Sequence, residues 1–370
     1  MHVPIFDLRV ADEKLRSDLL ESVSKVLHHG RLFLGPEVEE FEEAVCKYIG
    51  SKHAVGVDSG SSALYLALRS SGIGSGDEVI TTPLTWVISA NAIQACGAEP
   101  VFADVQDDFN IDPVSVEKMI GPRTRAIVPV HYAGQMCNMP AIESIARKNN
   151  LLIVEDAAQA FGATLGGRKA GCFSSAGAFS MNPMKSLGGY GEAGIVVTDD
   201  DEIYQRLKKL RHAGTTSDPK KVITNYCEEI SLNHKMDTVN AAMLLVALRH
   251  LPTRQKIREE IALRLRSGLP VTVQSQPVIS DHTHARYVYP IRVPLRDKLR
   301  NFLEKNGIET KVMHEPLVSD APAHQRCRSN SPNARKILDS SLVIPSHEKL
   351  SNGQVEYIIR SIQQFGDQWW

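Results

Sequence analysis

Lys185 and Asp156 are the residues whose type and setting best suit chemistry. Lys185 lies in MNPMKSLGGYG, a Gly- and Pro-rich turn that follows a short, mostly apolar run, Ala176 to Met181. That run reads as a strand and carries Ser180 near its end. A lysine solvates best on a helix face, so one held in such a turn has its amine aimed at something. Asp156 stands beside Glu155 at the end of another apolar run, Leu151 to Val154, which reads as a buried parallel strand. Ligands of open α/β sheets bind beyond the carboxyl ends of the strands, where both carboxylates are delivered.

The chemistry that joins these two groups most economically is that of pyridoxal 5'-phosphate (PLP). Its aldehyde needs a lysine amine for a Schiff base, and its pyridine nitrogen needs an acidic partner. Partial burial and nearby positive charge lower a lysine's pKa and make its amine a nucleophile and a proton shuttle. A strand-end acid and an unrelated surface lysine would look the same in isolation, so the surrounding residues decide.

Those residues are specific. EDAAQAFGA, from Glu155, and FSMNPMKSLGGYGEAG, from Phe179, resemble the DegT/DnrJ/EryC1/StrS family of PLP-dependent sugar aminotransferases, which have aminotransferase fold type I. The resemblance runs from Ile5 to about Ile362. It implies that Lys185 is the Schiff-base lysine, that Asp156 partners the ring nitrogen, that Gln159 bonds the ring hydroxyl and that Ser180 bonds the phosphate. In DSGSSAL, a strand, a small polar turn and a helix follow one another, an arrangement that presents helix amides to an anion. Serines there serve an ordinary helix cap equally well. The resemblance makes Gly60, Ser61 and Ser62 phosphate ligands. Trp86, in TTPLTWV, reads as core or as a stacking residue, and the resemblance sets it on the pyridine ring. It also implies that Asn233, in SLNHKMD, reaches the phosphate of a neighbouring subunit, giving a homodimer with shared active sites. His314, His131 and Tyr190 are the candidates on the substrate side.

Several positions depart from the family pattern. His212 and Ala213 shift a histidine by one place, Phe161 replaces a histidine, Ser174 and Ser175 stand where Gly-Asp is frequent, and Glu192 takes an Asp-like place. None removes a cofactor anchor. The implied activity is transfer of an amino group from L-glutamate to a keto group of a nucleotide-linked sugar. The phrase HHGRLFLGPEVEEFE leans toward members acting at the third carbon. Amination at the fourth carbon, as in perosamine-type synthesis, and amination of a cyclitol ketone are the alternatives. A sugar dehydratase of this family would carry histidine in place of Lys185. A regulatory protein would need a helix-turn-helix or a basic patch, and the sequence offers neither.

The elements that must position these residues follow from the chain's broader pattern. Its 370 residues suit two domains, and 42 Lys+Arg against 43 Asp+Glu leave no electrostatic footprint for nucleic acid or an anionic membrane. Alternating apolar strands and helical segments predict an α/β fold: a mostly parallel central sheet in a large domain, residues 51–246, and a smaller α+β C-terminal domain, residues 247–370. Residues 1–50 read as an arm and helices packed on the small domain. Strands are expected at VTVQSQPV and ARYVYPIRV, helices at LRNFLEKNGI and VEYIIRSI, and a solvated loop over residues 318–333. Neither GxGxxG in a βαβ setting nor GxxxxGK[ST] occurs, so nicotinamide and P-loop readings lack their motifs. Six scattered cysteines without a CxxC pair, and an N-terminus without a signal-peptide core, point to reduced thiols in the cytoplasm. No metal site is expected. His28 and His29 read as cationic caps of a helix end.

Overall fold

The computed structural model describes residues 1–216, 226–277 and 279–370. An N-terminal arm leads into helices α1 (Glu13–His29) and α2 (Pro36–Ile49). Asp12 caps α1 by accepting from the Leu15 amide, and Gly30 closes it in the left-handed region that a Cβ would disfavour. The strands are β1 (His53–Val57), β2 (Glu78–Thr81), β3 (Glu99–Phe102), β4 (Thr124–Ile127), β5 (Leu152–Asp156), β6 (Thr164–Leu165), β7 (Arg168–Lys169), β8 (Ala176–Ser180), β9 (Gly194–Thr198), β10 (Gln274–Ser275), β11 (His282–Thr283), β12 (Tyr289–Arg292) and β13 (Ser341–Ile344). Between and after them come α3 (Gly60–Ser70), α4 (Ile88–Ala95), α5 (Pro113–Met119), α6 (Met139–Lys148), α7 (Asp201–Arg211), α8 (Thr238–Gly268), α9 (Arg296–Lys305), α10 (Pro332–Ser340) and α11 (Asn352–Trp369).

Seven strands form the central sheet in the order β1-β9-β8-β5-β4-β2-β3. It is mostly parallel, as expected, and β9 alone runs against its neighbours. Successive side chains of a strand point to opposite faces, and this sheet buries both. Ile153 packs with Phe41 of α2, Val116 of α5, Ile142 of α6 and Leu244 of α8. Val154 packs on the other face with Leu64 of α3, Ile93 of α4 and Leu207 of α7. The same phase puts Ala176 and Ala178 on the α3/α4 face and Phe179 on the other. Asp156, two residues beyond Val154, and Ser180, two beyond Ala178, therefore share the α3/α4 face.

A second, three-stranded sheet, β10-β12-β13, carries its own core of Ile291, Leu299, Leu342, Ile358 and Ile362, among others. Val3 of the arm is buried in that core and bridges Ile308. The two sheets are joined by α8, a helix of 31 residues that runs on through Pro252. The shift to charged residues near residue 247 thus falls inside a continuous helix and marks no break in the chain. Of the expected strand VTVQSQPV only Gln274–Ser275 pairs, and Val278 lies outside the described residues.

Residues 318–333 are not simply a solvated loop. Ser329 bridges Phe102 at the edge of the central sheet, Arg328 bonds Glu78 at 3.0 Å and the Met119 carbonyl at 2.7 Å, and His324 is buried against Asn91. The segment covers the β3 edge, whose backbone groups would otherwise lack partners.

Candidate active site

A cavity of about 420 Å³ opens at the carboxyl ends of β5 and β8, between the central sheet and the segment Lys311–His314. Asp156, Gln159, Ser180, Lys185, Gly60, Ser61, Trp86 and His314 all line it, drawn from eight expected positions spread over most of the chain. Asp156 is fixed by two donors: Ser89 Oγ gives a hydrogen bond to Oδ2 at 2.7 Å, and the Ala158 amide gives one to Oδ1 at 3.2 Å. Ser89 is itself bonded to Thr85 at 2.9 Å, and both are buried. The carboxylate keeps lone pairs directed into the cavity.

Lys185 is half-buried, with its Nζ 4.5 Å from the centre of the Tyr287 ring. Burial lowers its pKa from 10.5 to about 8; Asp156 and Glu192 oppose the fall, and Lys311 adds to it. The amine therefore has a substantial neutral fraction near physiological pH. His314 is pushed further, to about 3, by burial and by the charges of Lys185 and Lys311. Neither of its buried ring nitrogens has a partner among the described residues. Gln159 accepts from the Ala133 amide through Oε1 at 2.8 Å, which leaves its amide nitrogen as the end available to donate.

At the other end of the cavity, α3 begins. Ser59 caps it, accepting from the Ser62 amide at 3.1 Å, and Ser59, Gly60 and Ser61 face the opening. A Cβ at Gly60 would come within 2.5 Å of Ser180 Cβ, so only glycine lets the helix start this close to the end of β8. Ser62 is placed differently from its expected role. Its hydroxyl is turned away and bonded to His234 Nδ1 at 2.8 Å, and it does not line the cavity.

Three other candidates are also elsewhere. His131 is fully buried on the opposite face of the sheet, its Nε2 at 2.8 Å from Glu155 and its Nδ1 accepting from the Cys137 amide. It does not line this cavity, because its partner Glu155 points where Ile153 points, to the opposite face of the sheet. Tyr190 lines a neighbouring cavity instead. Asn233 is exposed, bridging His212 rather than facing this chain's own cavity. Ser59, Ser89, Tyr287 and Lys311 were not singled out in the sequence. A serine three residues after Trp86, in the first turn of a helix, is the one signal that could have found Ser89.

The cavity fits a flat aromatic cofactor with a phosphate. A helix N-terminus with two serines and a side-chain-free Gly60, a carboxylate, a low-pKa lysine and Trp86, 62% exposed, all line it. Among the described residues no group of His, Cys, Asp and Glu could hold a metal ion, and no helix is long and apolar enough to cross a membrane.

The chain is 38% identical to the dTDP-3-amino-3,4,6-trideoxy-alpha-D-glucose transaminase of Streptomyces venezuelae, over 99% of this chain and 96% of that one. It is 34% identical, over 99% of both chains, to a protein of Geobacillus stearothermophilus named as a pleiotropic regulatory protein. The crystal structure of DesV from S. venezuelae, solved with a reaction intermediate, superposes with a TM-score of 0.93 at 37% identity and covers 99% of each chain. The cofactor of such aminotransferases is PLP. Residues 13–363 match the model of the DegT/DnrJ/EryC1/StrS aminotransferase family, and the chain belongs to that family.

Proposed function

We propose that this protein moves an amino group from L-glutamate to the keto group at the third carbon of a nucleotide-linked sugar, for amino-sugar biosynthesis in the cytoplasm. The observation that carries the reading is the placement of Asp156 and Lys185 in one cavity, with the start of α3 facing them. The name of the S. venezuelae relative, a 3-amino sugar transaminase, supports the third carbon over the fourth.

When bound, PLP supplies an electron sink for a proton leaving the substrate carbon. The remaining work falls to the chain. Asp156, oriented by Ser89 and the Ala158 amide, holds a proton at the ring nitrogen. The free amide nitrogen of Gln159 donates to the ring hydroxyl. Ser61 and Ser180, with the first amides of α3, would hold the phosphate, and Trp86 would pack on the ring. Lys185, with a pKa of about 8, would carry the proton between the substrate carbon and the cofactor carbon. Positioned proton transfer of this kind contributes roughly 10²–10⁴ in rate. His314, uncharged and without a partner, offers a donor and an acceptor to sugar hydroxyls.

The reading extends to assembly. Asn233 lies beside Ile230 and Leu232, which are 88% and 70% exposed, an apolar surface suited to a second copy whose cavity Asn233 completes. Residues 51–246 act as the cofactor-binding unit and residues 247–370 as the smaller one, with α8 shared between them. Incubation with glutamate and a panel of 3-keto and 4-keto nucleotide sugars, read by mass spectrometry, tests the assignment. Amination of the 3-keto sugars is expected. Amination of the 4-keto sugars alone overturns the choice of carbon, and amination of none overturns the sugar substrate.

A further inference from the structure

A second cavity, about 520 Å³ in volume, lies behind the first and shares Met184 and Lys185 with it as a common wall. Its other walls are the arm from Phe6 to Asp12, the turn Gly188–Tyr190, Arg254 and Arg258 of α8, and His347–Lys349. That volume is within the range of small-molecule sites. Besides Lys185, four Lys and Arg residues face it, and three of them have short partners. Arg9 pairs with Asp7 at 2.7 Å, Arg258 pairs with Glu348 at 2.7 Å, and Lys349 donates to the Asp7 carbonyl at 2.8 Å.

Arg254 differs. Its side chain is only 19% exposed, yet its shortest polar contact among the described residues is Tyr190 Oη at 3.5 Å. Glu348 Oε1 stands 3.9 Å from its Nε, too far for a hydrogen bond, while Oε2 of the same carboxylate holds Arg258 at 2.7 Å. A guanidinium has five donors in a rigid fork, suited to a carboxylate or phosphate. Its remaining donors are open to the cavity, where an oxyanion would complete them. Lys185, in the wall shared with the first cavity, lines this one too.

We propose that Arg254, assisted by the Tyr190 hydroxyl, binds an oxyanion of a substrate whose other end reacts at Lys185. The anion is either the diphosphate of the sugar nucleotide or the distal carboxylate of the amino donor, and the assignment rests on the transaminase reading above. Calorimetry on the cofactor-loaded protein with thymidine diphosphate, uridine diphosphate and glutarate distinguishes the two. Arg254→Met weakens binding of one class of probe about tenfold or more, the worth of a charge-assisted hydrogen bond, and Arg254→Lys recovers part of the loss. Loss confined to the nucleotides identifies the diphosphate; loss confined to glutarate identifies the carboxylate; loss of both means that the site serves each substrate in turn. An unchanged visible spectrum shows that the cofactor remains in place. Binding of every probe within about twofold of wild type overturns the proposal. So does a wild-type protein that binds none of them, and amination of a keto sugar by the same preparation then shows that the transaminase reading stands without it.

Discussion

Glu155 and Asp156 are adjacent carboxylates on one strand, and the two faces of the sheet treat them in opposite ways. Glu155 is fully buried and receives four donors: His131 Nε2, the amides of Gly171 and Phe173, and the Ser174 hydroxyl, all at 2.7–2.8 Å. Burial pushes its pKa up, but His131 and these hydrogen bonds outweigh it, and the net shift is downward. Asp156 receives only Ser89 and the Ala158 amide and keeps the rest of its capacity for the cavity. Helices α2, α5, α6 and α8 close over the first face, whereas α3 and α4 begin at the strand ends of the second and leave an opening between their first turns. The pleat alone decides which carboxylate holds the fold and which is left for chemistry.

The largest effect that would sharpen this contrast is on the open face. Lys185→Ala should lower transaminase turnover by more than about 10⁴, since it removes both the nucleophile and the proton carrier, while far-UV circular dichroism stays at wild type. Turnover within an order of magnitude of wild type would dismiss the lysine's assignment.

Next come the two carboxylates themselves, whose replacements should fail in different ways. Asp156→Asn should cost roughly 10²–10³ in kcat, in the range of losing one preorganised electrostatic contact, with little change in the urea midpoint. Glu155→Gln should do the reverse. Neutralising a fully buried carboxylate that accepts from four donors costs on the order of 3 kcal/mol of stability, read by urea denaturation, while kcat per folded molecule stays close to wild type. If both substitutions lowered stability and neither lowered kcat selectively, the division between the faces would be broken.

The faces should also respond at opposite ends of the pH scale. Glu155 has a folded pKa below its unfolded value of 4.5, so its contribution is complete above 4.5 and is lost as pH falls through the lower, folded value. For Lys185 the folded value, about 8, lies below the unfolded 10.5. Between those two values the unfolded chain binds more protons, so stability rises with pH, and below about 8 the cost of the desolvated charge is fully present. In the cofactor-free protein, carbamylation of Lys185 by cyanate, followed by peptide mass spectrometry, should reach half its maximal rate near pH 8. Surface lysines should lag by roughly two pH units, near their ordinary pKa of about 10.4. A common profile for all lysines would remove the physical basis for Lys185 as a neutral amine at working pH.

Much of the open face was legible in the sequence because its chemistry sits on contiguous residues. A strand and its acid, a turn and its lysine, and a helix start with its serines are each local patterns. The phase of β5 was not legible, because Ile153 and Val154 are both apolar and buried, and nothing local tells which of them points to α3. Nothing local, therefore, told that His131 bonds to Glu155 on the face away from the cavity. Tyr287, Lys311 and Arg254 come from segments more than sixty residues from Lys185 in sequence, and only the fold brings them to it. The change of composition near residue 247 reflects the emergence of α8 from the core of one sheet toward the other, which a helix makes without any break in its hydrogen bonds.

The smallest effects should separate Ser61 from Ser62, neighbours at the start of α3 that repeat the contrast in miniature. Ser61 faces the cavity, while Ser62 turns inward to His234, whose Nε2 is buried without a partner among the described residues. Ser61→Ala removes one hydroxyl from the mouth of an anion site that retains the helix amides, so PLP affinity, measured by equilibrium dialysis, should fall only severalfold, with stability unchanged. Ser62→Ala leaves the cavity lining intact and strands the second nitrogen of His234, so it should cost about 1–2 kcal/mol in urea denaturation with PLP affinity held. The opposite outcome, in which Ser62→Ala loses cofactor and Ser61→Ala loses stability, would mean that α3 rotates by about 100° when a phosphate arrives, the angle between successive residues of a helix, and that both hydroxyls had been assigned to the wrong side of it.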